Sequence, residues 1–271
     1  MSEQPRVPAG PSPNPHGGEW ASAKTSGASG AISSRGTFGA EPVKSVYNID
    51  NRIPIQGHLP GTRPSPEVAA EYYASMGKRF LNRHLTSESI AEMAGAPPGA
   101  SVLIEEYGAG GRFTVTSRTK EGYYSQRNID LRSKVITNEE SKVPEEMRGS
   151  GAGTKILVRQ VEEARAMGML RIETYAAGTG SREKGKGKSG IYNGYYSWLR
   201  MGFMPVDKRG YPKQTLMTTE GHKVNLFKMM STKIGRDYWR DHGSSFDGVF
   251  DLNPKSISSR VLAAYAKEQG L

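Results

Sequence analysis

Three glycines stand at alternate positions, Gly149, Gly151 and Gly153, inside MRGSGAGT, and an amphipathic run follows at once. In KILVRQVEEARAMGM, Ile156, Leu157, Val161 and Ala164 share one face of a helix, and Arg159, Glu162, Glu163 and Arg165 share the other. The start of a helix offers unpaired N–H groups and the positive end of its dipole, so it suits an anion. Glycines let that backbone approach a phosphate closely, with no Cβ in the way. The stretch from Arg148 through Gly149, Ser150, Gly151, Ala152, Gly153 and Thr154 therefore reads as a pyrophosphate cradle, with a plain glycine-rich turn as the alternative.

Spacing sorts the phosphate-binding loops. A Walker A loop needs G-x-x-x-x-G-K-S/T, and counting from Gly149 the sixth residue is Thr154. A second near miss, GSREKGKG from Gly180, has Gly185 and Lys186 but places Gly187 where a magnesium-binding hydroxyl is needed. A dinucleotide G-x-G-x-x-G also fails at Thr154. The pattern R-x-x-G-x-G is met by Arg148, Gly151 and Gly153.

That pattern resembles the acetyl-CoA loop of the GNAT acetyltransferase superfamily. The flanks add to the likeness. Lys134 to Asn138 is strand-like, and Val143 stands five residues ahead of Arg148. Gly168 can end the helix, and LRIETYA from Leu170 alternates as a half-buried strand should. A glycine- and lysine-rich loop, Gly178 to Gly190, leads to NGYYSWLRMGF, a short aromatic helix ending in Gly202 and Phe203, then a strand at Met204 to Val206. Strand, glycine loop, helix, strand, helix, Gly-Phe, strand is the order of the cofactor-binding half of that fold. The likeness covers Ser133 to Asp207.

The resemblance implies an α/β (α+β) fold with a mixed, mainly antiparallel central sheet flanked by helices. It implies acetyl-CoA as co-substrate and an amine of unknown identity as acceptor. The N–H groups of Gly149 to Thr154 would hold the pyrophosphate, and a backbone N–H between Glu139 and Lys142 would polarise the thioester carbonyl. Glu139 and Glu140 lead the candidates for the base, with Glu145 and Glu146 close by. Many members carry a tyrosine four residues before the glycine of the Gly-Phe pair, where it can protonate the CoA sulfur. Here that position is Trp198, whose indole is no practical general acid; Tyr195, one turn earlier, is the nearest substitute. A GNAT-like module that binds without turnover is therefore a second reading.

The rest of the chain sets the frame. Residues 1–62 are rich in Gly, Pro, Ser and Ala, with few apolar residues, and read as a disordered arm. Val46 to Ile55 is the exception, a docking segment or a first strand. The folded domain is expected over 63–271, with a helical C-terminal extension. Ser65 caps a helix that runs to Leu85, with a stripe of Val68, Tyr72, Met76 and Phe80, and Thr86 to Ala94 forms a second. Residues 101–108 and 112–119 alternate as a hairpin, and Tyr123 to Leu131 adds a third strand. Lys223 to Trp239 holds a helix, 246–252 a strand, and Asn253 caps a terminal helix.

Net charge is +10, which favours anionic partners such as CoA; nucleic acid fits the charge too, but no reader motif accompanies it. There is no cysteine, which rules out a thiolate nucleophile or disulfides and suits a cytoplasmic setting. The five histidines show no metal-ligand spacing, so no metal is expected. No apolar run is long enough to span a membrane.

Overall fold

Alternation of apolar and polar residues builds most of the sheet, and the inward positions are the buried ones. The computed structural model describes residues 47–52, 63–108, 110–179, 193–207, 209–210, 213, 215–217 and 222–271. The chain opens with β1 (Asn48–Arg52), α1 (Pro66–Phe80) and α2 (Ser87–Met93), then β2 (Ser101–Glu106), β3 (Arg112–Arg118), β4 (Tyr124–Asp130) and β5 (Val135–Lys142). The glycine turn leads into α3 (Ala152–Ala166), followed by β6 (Arg171–Thr179), α4 (Gly194–Arg200) and β7 (Met204–Pro205). The last part holds a small hairpin, β8 (Thr215–Met217) and β9 (Lys223–Asn225), then α5 (Leu226–Ser231), α6 (Lys233–His242), β10 (Ser244–Asp251) and α7 (Ile257–Glu268).

Eight strands form one sheet in the order β1-β2-β3-β4-β5-β6-β10-β7. Two neighbouring pairs are parallel, β1 with β2 and β5 with β6; the others are antiparallel. The mixed, mainly antiparallel sheet flanked by helices is thus the observed fold class. On one face, Tyr73 of α1 meets Phe113 edge-on at 5.7 Å. Gln160 of α3 donates to Met93 O of α2 at 2.9 Å and to Asn138 Oδ1 of β5 at 3.1 Å. Ile104, Val115, Ile129, Ile136, Leu157 and Ile172 fill the space between. A smaller cluster of Leu199, Met204, Leu226, Met230 and Val261 joins α4, α5 and α7.

Several boundaries differ from the expectations. β1 lies within the span read as an arm and is the first strand offered as one reading of Val46 to Ile55, so the folded unit begins before residue 63: Tyr47 and Ile49 pack on the core and Asn48 to Arg52 pair with Ser101 to Glu105. The rest of the expected arm, 1–46 and 53–62, lies outside the described residues, as does the lysine loop from residue 180 to its end at 190. α1 stops at Phe80, since Asn82 turns left-handed at φ 54°. Its buried face is Ala69, Tyr73, Met76 and Gly77, while Val68 is exposed. The single helix expected over Lys223 to Trp239 starts only at Leu226, since Lys223–Asn225 is strand β9, and it breaks at Thr232, whose side chain accepts from Gly235 N and starts α6. Ser256, not Asn253, caps α7; Asn253 Oδ1 accepts from Lys255 N in the preceding turn instead.

Candidate functional site

Parallel strands β5 and β6 pair only from Val135/Arg171 to Asn138/Thr174. Beyond that point β5 runs on to Lys142 and β6 to Thr179 without pairing to each other. The two strands then lead to different elements: β5 enters the glycine turn and β6 leads to α4. The elements those continuations lead to, the glycine turn after β5 and α4 after β6, line one small open cleft. Its walls are Val143, Met147 to Gly149 and Gly151 to Thr154 of the turn, Tyr196, Ser197 and Arg200 of α4 with Met201 after it, and Tyr265 and Gln269 near the end of the chain.

The cradle is shaped locally. A short 3-10 turn, Glu145–Met147, precedes it. Arg148 Nε donates to Val143 O at 3.2 Å, so the arginine braces the turn. Ser150 Oγ donates to Met147 O at 2.7 Å and accepts from Ala152 N at 3.3 Å. Gly149 and Gly151 are left-handed, at φ 77° and 79°, and a Cβ on either would meet nothing within 4 Å. Both therefore border open space. Lys155 N closes the first helical turn on Gly151 O at 3.0 Å. Among the described residues no acceptor meets the N–H groups of Gly153 or Thr154, as expected of a helix start. No acidic residue sits in that first turn to occupy them.

Across the cleft stands α4. Arg200 is 8% exposed, and its guanidinium lies over the Tyr265 ring at 4.1 Å and the Tyr196 ring at 5.7 Å. Glu268 is 3.9 Å from it, while the same carboxylate is 2.9 Å from Arg236. Burial pushes the Tyr265 hydroxyl pKa up, against the pull of the Arg200 charge and the Thr154 hydroxyl. That side chain stays neutral near neutral pH.

The residues singled out by sequence fall into three groups. Arg148, Gly149, Gly151, Ala152, Gly153 and Thr154 all line the cleft, with Ser150 bonded inside the same turn. Glu139 and Glu140 lie on β5 past the point of separation but are not part of the cleft wall. A bulge opposite Gln126 and Arg127 leaves Glu139 as the extra residue; it is exposed and accepts from Asn128 Nδ2 at 2.8 Å, whereas Glu140 is buried. Tyr195 points elsewhere: its hydroxyl donates to Arg240 O on α6 at 2.6 Å. Trp198 packs against Phe203 at 4.7 Å in the core.

Tyr196, Arg200, Tyr265 and Gln269 are not evident as site residues from sequence. Tyr196 and Arg200 are four apart on α4, a spacing that marks them as neighbours. Nothing in the sequence links them to α7. A buried arginine also underlies β5: Arg127 donates to Gln126 O at 3.0 Å, and also to Glu140 O and Ser141 Oγ. Burial pulls its pKa down, against the pull of Tyr123, Glu139 and Glu140. Its signal is a strand alternation with a charged residue at an inward position.

No protein-family profile matches this chain, and no curated protein sequence matches it. Among the described residues no group of three or more His, Asp or Glu side chains could hold a metal. No described helix is long and apolar enough to cross a membrane.

Proposed function

We propose that this chain is a GNAT-like N-acetyltransferase that takes acetyl-CoA as co-substrate and transfers the acetyl group to an amine. The observation that carries it is the cleft itself: the R-x-x-G-x-G turn and α4 face each other where β5 and β6 part. The motif reads as a cradle in the sequence, and its six lining residues border one cavity. The order of strand, glycine turn, helix, strand, helix, Gly-Phe and strand, which the family likeness calls for, supports the same reading.

In this reading the free N–H groups of Gly153 and Thr154 and the α3 dipole hold the diphosphate. The amine nitrogen attacks the thioester carbonyl, and the tetrahedral oxyanion takes a hydrogen bond from a β5 N–H. Collapse expels the CoA thiolate. Glu139, solvent-exposed beside the bulge, takes the amine proton directly or through water, with Glu140 behind it. A tyrosine acid would come from Tyr196 rather than Tyr195, since Tyr196 lines the cleft and the Tyr195 hydroxyl is bound to Arg240. The acceptor is unassigned, and a cytoplasmic setting belongs to the same proposal. Binding without turnover is the second reading. It is favoured by Trp198, which fills the core where a cleft tyrosine would stand.

Calorimetric titration of acetyl-CoA into the full chain tests the binding. The control is Ala152→Glu. Ala152 is the first residue of α3, where a carboxylate stabilises a helix by about 0.3–1 kcal/mol. The same carboxylate puts negative charge into the cradle. Saturable binding that is lost in Ala152→Glu, with an unchanged or higher melting temperature, is the expected result. Absence of binding by the folded wild type ends the acetyltransferase reading. Release of free thiol with a panel of amines separates turnover from binding alone.

A further inference from the structure

The geometry points to Arg200 as the side chain that makes the α3 cradle a diphosphate site, with Tyr265 of the C-terminal helix holding it in place. This rests on the acyl-CoA reading for the identity of the ligand and adds a residue outside the glycine turn. A helix start alone attracts many anions. Arg200 supplies a second, independent attraction across the same cleft. It is nine-tenths buried, and its Nε has no hydrogen-bond acceptor. That Nε is sealed inside the protein, but the guanidinium donates no hydrogen bond to any described residue, so its terminal N–H groups are the ones a ligand oxygen in the cleft would meet.

The surroundings define what that ligand must offer. The face of the guanidinium is spent on Tyr265 and Tyr196, which leaves its N–H edge for an acceptor. The carboxylate beside it, Glu268, is 3.9 Å away and is held closer by Arg236. An anion with oxygens on two linked centres can meet the Gly153 and Thr154 N–H groups with one and Arg200 with the other. A diphosphate ester has that form; a single phosphate or a carboxylate carries its oxygens on one centre only. Tyr265, from α7, lines the same cleft, so the C-terminal extension takes part in the site.

The test titrates acetyl-CoA, inorganic pyrophosphate and inorganic phosphate into the full chain and into two variants, Arg200→Met and Glu268→Gln. Loss of one charge-assisted contact corresponds to a weakening of about tenfold or more. Arg200→Met is expected to weaken acetyl-CoA and pyrophosphate by that factor while leaving the weaker phosphate binding little changed. Glu268→Gln removes a half-exposed carboxylate that competes for Arg200, and both diphosphates should bind more tightly. If folded Arg200→Met binds acetyl-CoA as the wild type does, the role of Arg200 is overturned and the acyl-CoA reading stands. If the wild type binds pyrophosphate through Arg200 but ignores acetyl-CoA, the acyl-CoA reading falls and the diphosphate site stands. If the wild type binds neither, both fall. Should Arg200→Met fail to fold, Glu268→Gln decides, and unchanged affinities there overturn the proposal.

Discussion

Glycines that look alike in sequence do different work in this chain. Gly151 and Gly202 are both left-handed, at φ 79° and 98°. A Cβ on Gly151 would enter open space, so its cost is confined to backbone strain. A Cβ on Gly202 would lie 2.4 Å from Ser258 O and 3.0 Å from Phe250 Cε2. Backbone against backbone has no rotamer to relieve it. Gly202→Ala should therefore cost about 3 kcal/mol or more, the sum of φ strain and overpacking, against about 1–2 kcal/mol for Gly151→Ala. Urea denaturation of the two variants checks the ranking, and equal losses would refute it. The Gly-Phe pair is legible in the sequence as a motif. Its reason is not, because the Ser258 carbonyl arrives from α7, far along the chain. The same holds for Tyr195, whose hydroxyl is claimed by α6, and for Trp198, which α4 turns into the core.

Elements are legible where one period dominates and ambiguous where two series compete. β2 and β3 alternate cleanly, and in β2, β3 and β4 the buried residues are the alternate ones, Ser125 and Arg127 of β4 included. In α1, two adjacent series four residues apart are both apolar enough to face a core. Tyr73 on Phe113 and the close approach of Gly77 to Leu85 select the second. Along α5 and α6 the apolar residues suggest one helix, yet Ile234 is 85% exposed and the break at Thr232 is set by a cap. The α2–α3 contact carries a pH dependence that periodicity does not reveal. Burial, joined by the charge of Glu92 and opposed by a hydrogen bond from Ser89, raises the pKa of Glu163. A carboxyl whose folded pKa exceeds its unfolded value contributes stability below the unfolded pKa. That contribution is lost as pH rises through the folded pKa. Relative to Glu163→Gln, the wild type should therefore lose stability as pH climbs from the ordinary glutamate range toward neutrality. Chemical denaturation of both at pH 4 and pH 7 measures it, and parallel stabilities would show that Glu163 is not perturbed.

At the scale of the whole molecule, the sheet depends on a strand that composition hides. The glycine- and proline-rich start masks β1, since Asn48–Arg52 has one strongly apolar residue, Ile49, and its strand character comes from pairing with β2. β1 covers an edge of β2 that would otherwise expose its N–H and C=O groups. Tyr47 adds a hydroxyl that donates to Ala96 O at 3.3 Å, and Asn51 Oδ1 accepts from buried Tyr73 at 2.9 Å. A fragment from residue 63 would lose all of these and leave the Tyr73 hydroxyl without its acceptor. Burial of two half-buried apolar side chains and two hydrogen bonds is worth about 3–5 kcal/mol together. A fragment from residue 63 should therefore melt at least 6 °C lower than one from residue 47, at about 2–4 °C per kcal/mol for a domain of this size. The cleft lies at the far side of β5, away from β1 in sheet order, so acetyl-CoA affinity of whatever remains folded should be unchanged. Equal melting of the two fragments would show that β1 is an accessory to the sheet. A fall in affinity with β1 removed would mean that this edge and the cleft are coupled through the sheet between them.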